Sequence, residues 1–226
     1  MNRTAVSVVI VAGGVGSRMQ GAIPKQFMLL EGMPIIHYSC AIFELLPEVV
    51  ELVIVCDPAF RDLCRQGVAQ KPLKFALPGE RRQDSLYNGL QKCDAAAQII
   101  CVHDAARPLI DAEIVQQVIA AASVGAAAAA VPVKSTVKEV DADGFVVRTP
   151  PRSGIWEVQT PQAVLRPWLD AGFALASQYK LTVTDDVSLA ELAGCPVRLV
   201  PSSYRNIKIT TPEDLQLAAL LLGRGG

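Results

Sequence analysis

The feature that most constrains this chain is a rhythm of short, uninterrupted apolar runs separated by stretches with helical spacing. The runs are Val6–Val11, Val49–Cys56, Ile99–His103, Ala126–Val133 and Val197–Pro201. They do not alternate apolar with polar. A strand that is apolar at nearly every position suits a parallel sheet covered on both faces, whereas alternation marks a sheet with one wet face. Helices are expected between them at Pro34–Leu45, Arg81–Lys92, Ala112–Ala122, Leu165–Gln178 and Pro212–Leu222. Pro212 follows Thr211 and is followed by Glu213 and Asp214. A capping hydroxyl, a proline at the first helical position and acidic residues in the first turn all favour a helix start. Strand–helix alternation of this kind predicts an α/β fold, a mostly parallel sheet with helices on both faces. A length of 226 residues suits a single domain, read here as residues 1–226.

One segment breaks the rhythm. Thr136–Val140 and Phe145–Thr149 are short β-prone runs joined by Asp141-Ala142-Asp143-Gly144, a hairpin signal. It lies between two strands of the parallel type. The insertion, at about 134–155, should therefore project from the sheet as a β-arm. Exposed strand edges tend to pair, and a second copy of the same chain is the simplest partner, so a homodimer through the arm is expected.

Composition excludes several function classes. A net charge of -1 leaves no broad cationic face for nucleic acid or an anionic membrane. Any anion site must be built locally. No apolar run reaches spanning length, and Met1–Val11 is too short for a signal peptide. The six cysteines form no C-x-x-C pair and are expected to be free thiols. That pattern suits a reducing compartment, and a cytoplasmic location is expected.

Four motifs carry the chemistry. Ala12-Gly13-Gly14-Val15-Gly16-Ser17-Arg18-Met19 follows the first strand, with Pro24-Lys25-Gln26-Phe27 close behind. Glycines there let backbone N–H groups face phosphate oxygens, and Arg18 and Lys25 add cations at the same place. The loop lacks both the G-x-G-x-x-G dinucleotide pattern and the G-K-[ST] ending of a Walker loop. Gly79-Glu80-Arg81-Arg82-Gln83-Asp84-Ser85 enters a helix and offers backbone and hydroxyl groups to a nucleotide base. His103-Asp104-Ala105-Ala106-Arg107-Pro108 ends a strand, where open α/β sheets bind ligands. Asp104 there could hold a divalent cation with phosphates completing the shell, or simply pair with Arg107. His103 reads as a buried, hydrogen-bonded histidine. The last constellation is dispersed: Thr136, Arg152, Thr160, Thr184-Asp185-Asp186 and Asn206-Ile207-Lys208-Ile209-Thr210. Lys208 is out of place in an apolar run, so it must snorkel or meet an anion.

These residues resemble the 2-C-methyl-D-erythritol 4-phosphate cytidylyltransferase family. The motifs A-G-G-x-G-x-R-M…P-K-Q-F, H-D-A-A-R-P, W-E-V-Q-T-P-Q and N-I-K-I-T-T-P-E-D-L occur in the right order from Ala12 to Leu215. The resemblance implies a Rossmann-like nucleotidyltransferase fold and transfer of CMP from CTP to 2-C-methyl-D-erythritol 4-phosphate, with Mg²⁺. It implies that Arg18 and Lys25 stabilise the transition state. Ala12, Gly13, Gly14 and Gly16, with Gly79, Glu80, Ser85, Asp104 and Ala105, would hold the nucleotide, Asp104 also serving the metal. Arg107, Thr136, Arg152, Thr160, Thr184 and Lys208 would serve the polyol phosphate. Arg152 would reach it from the other subunit's arm. Two positions depart from the family's usual pattern: Ser135 stands where an aspartate is usual, and Gly13-Gly14 where Ala-Ala-Gly is commoner. A ribitol-5-phosphate cytidylyltransferase is the nearest alternative. Ala106 and Trp156-Glu157-Val158 favour the erythritol enzyme.

Overall fold

A computed structural model describes residues 4–14 and 23–223. Strand β1 (Val6–Val11) is followed by a small hairpin, β2 (Leu29–Leu30) and β3 (Met33–Pro34), and by helix α1 (Ile35–Leu45). Next come β4 (Val49–Val55), α2 (Arg61–Gln66), β5 (Leu73–Ala76) and α3 (Arg82–Leu90). Then follow β6 (Ile99–Asp104), α4 (Ala112–Ala121) and β7 (Ala126–Pro132). A second hairpin, β8 (Glu139–Val140) and β9 (Val146–Arg148), precedes β10 (Trp156–Leu165) and α5 (Arg166–Gln178). Helix α6 (Val187–Leu192), β11 (Val197–Pro201) and α7 (Pro212–Gly223) complete the order.

Seven strands form one sheet in the order β11-β7-β10-β6-β1-β4-β5. Strand β1 pairs in parallel with β4 and β6, as do β4 with β5 and β11 with β7. The apolar runs are continuous because both faces are covered. Val8 and Ile10 of β1 pack on Ile36 and Phe43 of α1 and on the cluster holding Val115 and Val118 of α4. Val9, pointing the other way, joins Leu86 and Leu90 of α3 and Leu169 of α5. Burying side chains of this size stabilises by about 1.5–3 kcal/mol each, so the two-faced core holds the sheet rigid. The alanine run in β7 is fully buried from Ala126 to Ala130, where small side chains let the covering layers close in.

Two strands of the seven-stranded sheet are absent from the sequence reading, β5 and β10, as is the small β2–β3 hairpin. Strand β10 is antiparallel to both β6 and β7 and carries a register shift between Val158 and Gln162. Its middle reads Gln159-Thr160-Pro161-Gln162, which no apolar pattern would select. Those polar residues are nonetheless buried. Each amide is satisfied: Gln162 Oε1 accepts from the Asp186 and Val187 amides at 2.8 and 2.9 Å, and Gln159 Oε1 from Ser202 Oγ and Asn206 Nδ2 at 2.8 Å each. The middle of the strand is polar because its side chains tie together β6, the start of α6 and the segment before α7. Residues 138–149, including the β8–β9 hairpin, are exposed throughout. Asp141 Oδ1 accepts from the Asp143 and Phe145 amides at 3.1 and 2.9 Å, and Gly144 takes a φ of 87°, the left-handed region a glycine tolerates best. Among the described residues no helix is long and apolar enough to cross a membrane.

Candidate active site

Register brings the motifs together. Val11 of β1 lies opposite Asp104 of β6, so the glycine loop and the His103–Pro108 turn leave the sheet at the same rim. The start of the glycine loop is fixed from below. The Ala12 amide donates to Val55 O at 2.9 Å. Gln26 Nε2 donates to Ala12 O at 2.6 Å and to Gly14 O at 2.9 Å. With those carbonyls turned toward Gln26, the loop's other face stays with the cavity. Gly13 has no alternative, because a Cβ there would lie 2.6 Å from Pro78 Cβ. On the α3 side Gly79 is equally confined, its would-be Cβ 2.4 Å from Asp84 Cβ. The Gly79 amide donates to Ser85 Oγ at 3.0 Å, and the Asp84 carboxylate accepts from the Arg81 amide at 3.0 Å and from Arg81 Nε at 2.9 Å at the helix start.

Between these loops lies a cavity of ≈ 410 Å³, lined among others by Gly13, Gly14, Lys25, Gly79, Glu80, Ser85, Asp104 and Lys208. Residues from both ends of the chain meet here. Arg81, Arg82 and Ala106 also line it.

The electrostatic centre is Asp104. Its Oδ1 accepts from Arg82 Nη2 at 2.9 Å and Nε at 3.3 Å, and its Oδ2 meets Lys208 Nζ at 2.6 Å. Arg107 Nε stands 3.9 Å from Oδ2. Burial raises the Asp104 carboxyl, but Arg82 and Lys208 outweigh it and hold the group well below the usual carboxylate range. Arg82 itself forks onto Asp186, Nη2 to Oδ2 at 2.8 Å and Nη1 to Oδ1. Burial disfavours the charged guanidinium, yet the two carboxylates overcome it and keep Arg82 ionised far into alkali. Behind Asp104, His103 is fully buried, its Nε2 3.1 Å from Arg107 O and its Nδ1 3.2 Å from Thr160 Oγ1. Burial pushes its pKa down to about 4, so it is neutral at physiological pH.

The expected site residues divide into groups. Gly13, Gly14, Lys25, Gly79, Glu80, Ser85, Asp104 and Lys208 line the one cavity. Arg18 and Gly16 lie outside the described residues. Ala12 and Ala105 are buried under the rim, the Ala105 amide donating to Val11 O at 3.1 Å, and it is Ala106 that lines the cavity. Thr160 and Arg107, expected beside the polyol phosphate, are buried. The Thr160 hydroxyl accepts from the Asp104 amide at 3.0 Å, and Arg107 Nη1 donates to Asn206 O at 2.7 Å. Thr184 is exposed on a separate shallow surface with Ser188 and Glu191. Thr136 and Arg152 sit in the exposed arm, away from the cavity of their own chain. Arg152 Nη1 donates to Lys134 O at 3.0 Å.

Asp104, expected to serve a metal, lines the cavity with its two carboxylate oxygens facing Arg82 and Lys208. Among the described residues no group of three or more His, Cys, Asp or Glu stands together to hold an ion. A Mg²⁺ ion at Asp104 would therefore need phosphate oxygens to complete its shell.

Arg82, Asp186, Gln26 and Asn206 fell within the motifs singled out in the sequence but were given no role there. Arg82 and Asp186 were visible only as charged neighbours of Gly79 and Thr184. Asn206, fully buried, pins the Lys208 segment by donating from Nδ2 to Gln159 Oε1 at 2.8 Å and to Thr160 O at 2.9 Å.

The chain matches, over residues 6–224, the family model described as IspD: 2-C-methyl-D-erythritol 4-phosphate cytidylyltransferase. It is 48% identical over 221 residues to the chloroplastic 2-C-methyl-D-erythritol 4-phosphate cytidylyltransferase of Oryza sativa subsp. japonica, covering 96% of this chain and 74% of that protein. To the enzyme of the same name from Caldanaerobacter subterraneus subsp. tengcongensis it is 40% identical, covering 96% and 98%. Among solved structures, 4-diphosphocytidyl-2C-methyl-D-erythritol synthase from Anaerococcus prevotii superposes with a TM-score of 0.88 at 27% identity, covering 99% of this chain and 98% of that one. The 2-C-methyl-D-erythritol 4-phosphate cytidylyltransferase of Thermus thermophilus gives 0.77 at 30% identity, covering 96% and 98%.

Proposed function

Because this chain belongs to the 2-C-methyl-D-erythritol 4-phosphate cytidylyltransferase family, we propose that the rim cavity is where CTP and the polyol phosphate react. The enzyme is a nucleotidyltransferase of the non-mevalonate isoprenoid pathway. It moves CMP from CTP to 2-C-methyl-D-erythritol 4-phosphate, giving 4-diphosphocytidyl-2-C-methyl-D-erythritol and pyrophosphate.

The observation that carries the assignment of the site is the convergence of Lys25, Arg82 and Lys208 with the glycine loop on one cavity. The reaction brings two polyanions together. Each pair of unit charges 4 Å apart repels by ~4 kcal/mol at an effective dielectric of 20. Neutralisation is therefore the chief demand on the protein. The amides of Gly13 and Gly14 and the Lys25 ammonium face the triphosphate. Arg18 is assigned the same role from the family resemblance. Gly79, Glu80 and Ser85 frame the cytosine. Lys208 receives the phosphate of the acceptor.

An acceptor phosphate oxygen attacks the α-phosphorus in line. The new P–O bond forms as the bond to the bridging oxygen of the β-phosphate breaks, and that electron pair leaves with pyrophosphate. The nucleophile is already an anion, so no general base is needed. The site agrees with this. His103 is buried and neutral, with both ring nitrogens against local partners. Charge on the transferring phosphoryl group is stabilised by fixed cations, which act more strongly in a partly desolvated site than in water. Mg²⁺ is assigned to the incoming nucleotide as the Mg–CTP complex, and no step is assigned to an ion on Asp104.

A second copy completes the site. Support comes from the arm, which is exposed along its length and presents Phe145 at 72% and Val147 at 61% exposure. Arg152 lies at its base outside the cavity of its own chain. We assign Arg152 and Thr136 to the partner's acceptor phosphate. All six cysteines are buried and free, which supports the cytoplasmic assignment.

A pyrophosphate-release assay with CTP or UTP, each against 2-C-methyl-D-erythritol 4-phosphate or ribitol 5-phosphate, tests the reading. Release is expected with CTP and the erythritol phosphate. Faster release with ribitol 5-phosphate would replace the acceptor.

A further inference from the structure

Asp186 is a buried carboxylate that local structure does not require. It stands at the start of α6 but makes no capping bond to that helix. Its neighbour Asp185 provides that bond, with Oδ1 accepting from the Ser188 amide at 3.0 Å. Asp186 is only 1% exposed and does not line the cavity. Burying a carboxylate this deeply is a poorer route to stability than a well-packed apolar side chain of similar size. Its whole side chain is spent on Arg82, whose fork lies across both carboxylate oxygens.

That fork fixes more than itself. With Nη1 and Nη2 tied to Asp186, Nη2 and Nε also hold Asp104 Oδ1, at 2.9 and 3.3 Å. Asp104 Oδ2 is thereby turned to Lys208 Nζ, 2.6 Å away. A chain of contacts runs Asp186–Arg82–Asp104–Lys208 and joins α6, α3, β6 and the segment before α7. Arg is suited to the bridging position because its planar guanidinium can satisfy two carboxylates at once, which a lysine ammonium cannot do with defined orientation.

We propose that Asp186 is a positioning residue for the transfer reaction, locking the Arg82 guanidinium so that Asp104 presents Lys208 to the acceptor phosphate. Asp186 touches no ligand and acts through its neighbours. The inference rests on the reading of Lys208 as the phosphate-binding residue.

The test is Asp186→Asn, which keeps the shape and removes the charge, assayed where circular dichroism shows the variant folded. The KM for 2-C-methyl-D-erythritol 4-phosphate should rise about 10-fold, with kcat and the KM for CTP changed less than about 2-fold. The same substitution in a Lys208→Met background should add no further rise, because groups acting in series are not additive. An unchanged acceptor KM in Asp186→Asn, an equal loss for CTP, or a full additional 10-fold effect in the Lys208→Met background would each overturn the proposal. Should Asp186→Asn fail to fold, Asp186→Glu keeps the charge and displaces the fork, and it must raise the same KM. Failure of the underlying reading looks different: Lys208→Met alone would then leave the acceptor KM unchanged.

Discussion

His103 and Asp104 are adjacent in sequence and titrate under opposite pressures. Burial holds His103 neutral with a pKa of about 4, whereas an unfolded histidine titrates near 6.5. The folded value is depressed, so the contribution is complete above pH 6.5 and is lost as pH falls toward 4. The loss should amount to about 3 kcal/mol, since each unit of difference is about 1.4 kcal/mol. Urea midpoints measured between pH 7 and pH 4 should fall with pH, and a His103→Gln variant should show a shallower fall. A slope unaltered by that substitution would mean His103 is not held neutral. At Lys25 the expectation is kinetic: Lys25→Ala should lower kcat about 100-fold or more, comparable to removing one preorganised charge-stabilising donor elsewhere. Near-normal turnover would take Lys25 out of the mechanism. Residues whose type is odd for their surroundings, such as Lys208 in an apolar run, were legible in the sequence. Arg82 was not. A charge at a helix start is ordinary, and its partner Asp186 lies 104 positions away, a separation for which no spacing rule exists.

Elements were legible in proportion to how strongly a single pattern dictates them. The parallel strands announced themselves because covering both faces demands apolar residues throughout. Strand β10 did not, because its central residues are buried amides and a hydroxyl whose hydrogen bonds close only in the folded chain. Turn chemistry made the arm readable, through Asp141 and Gly144. What the arm does is a question of assembly. Because each should raise the acceptor KM, Arg152→Ala and Lys208→Ala should each be nearly inactive alone when the acceptor is held near the wild-type KM. If Arg152 serves the partner's cavity, mixing and re-equilibrating the two variants creates heterodimers with one intact site. A random mixture should then recover about a quarter of wild-type activity, as half the dimers carry one good site in two. Activity no greater than that of the separate variants would place Arg152 in its own chain's chemistry or outside it.

At the scale of the whole molecule, the sheet gathers at one rim what the sequence scatters from Gly13 to Lys208. The α/β class followed from the rhythm, and the rim was the expected place for the site because open α/β sheets bind ligands where strands end. The internal wiring of the site did not follow, because it depends on which carboxylate meets which cation across the sheet. That wiring sets Lys208 and Arg82 together on Asp104 at the rim. The most direct test of the account is a crystal structure of the enzyme with CTP bound. The triphosphate should lie within hydrogen-bonding distance of the Gly13 and Gly14 amides and the Lys25 ammonium, with the cytosine against the Gly79–Ser85 loop. A triphosphate seated elsewhere, such as the cleft lined by Tyr87, Asn88 and Ser177, would contradict it.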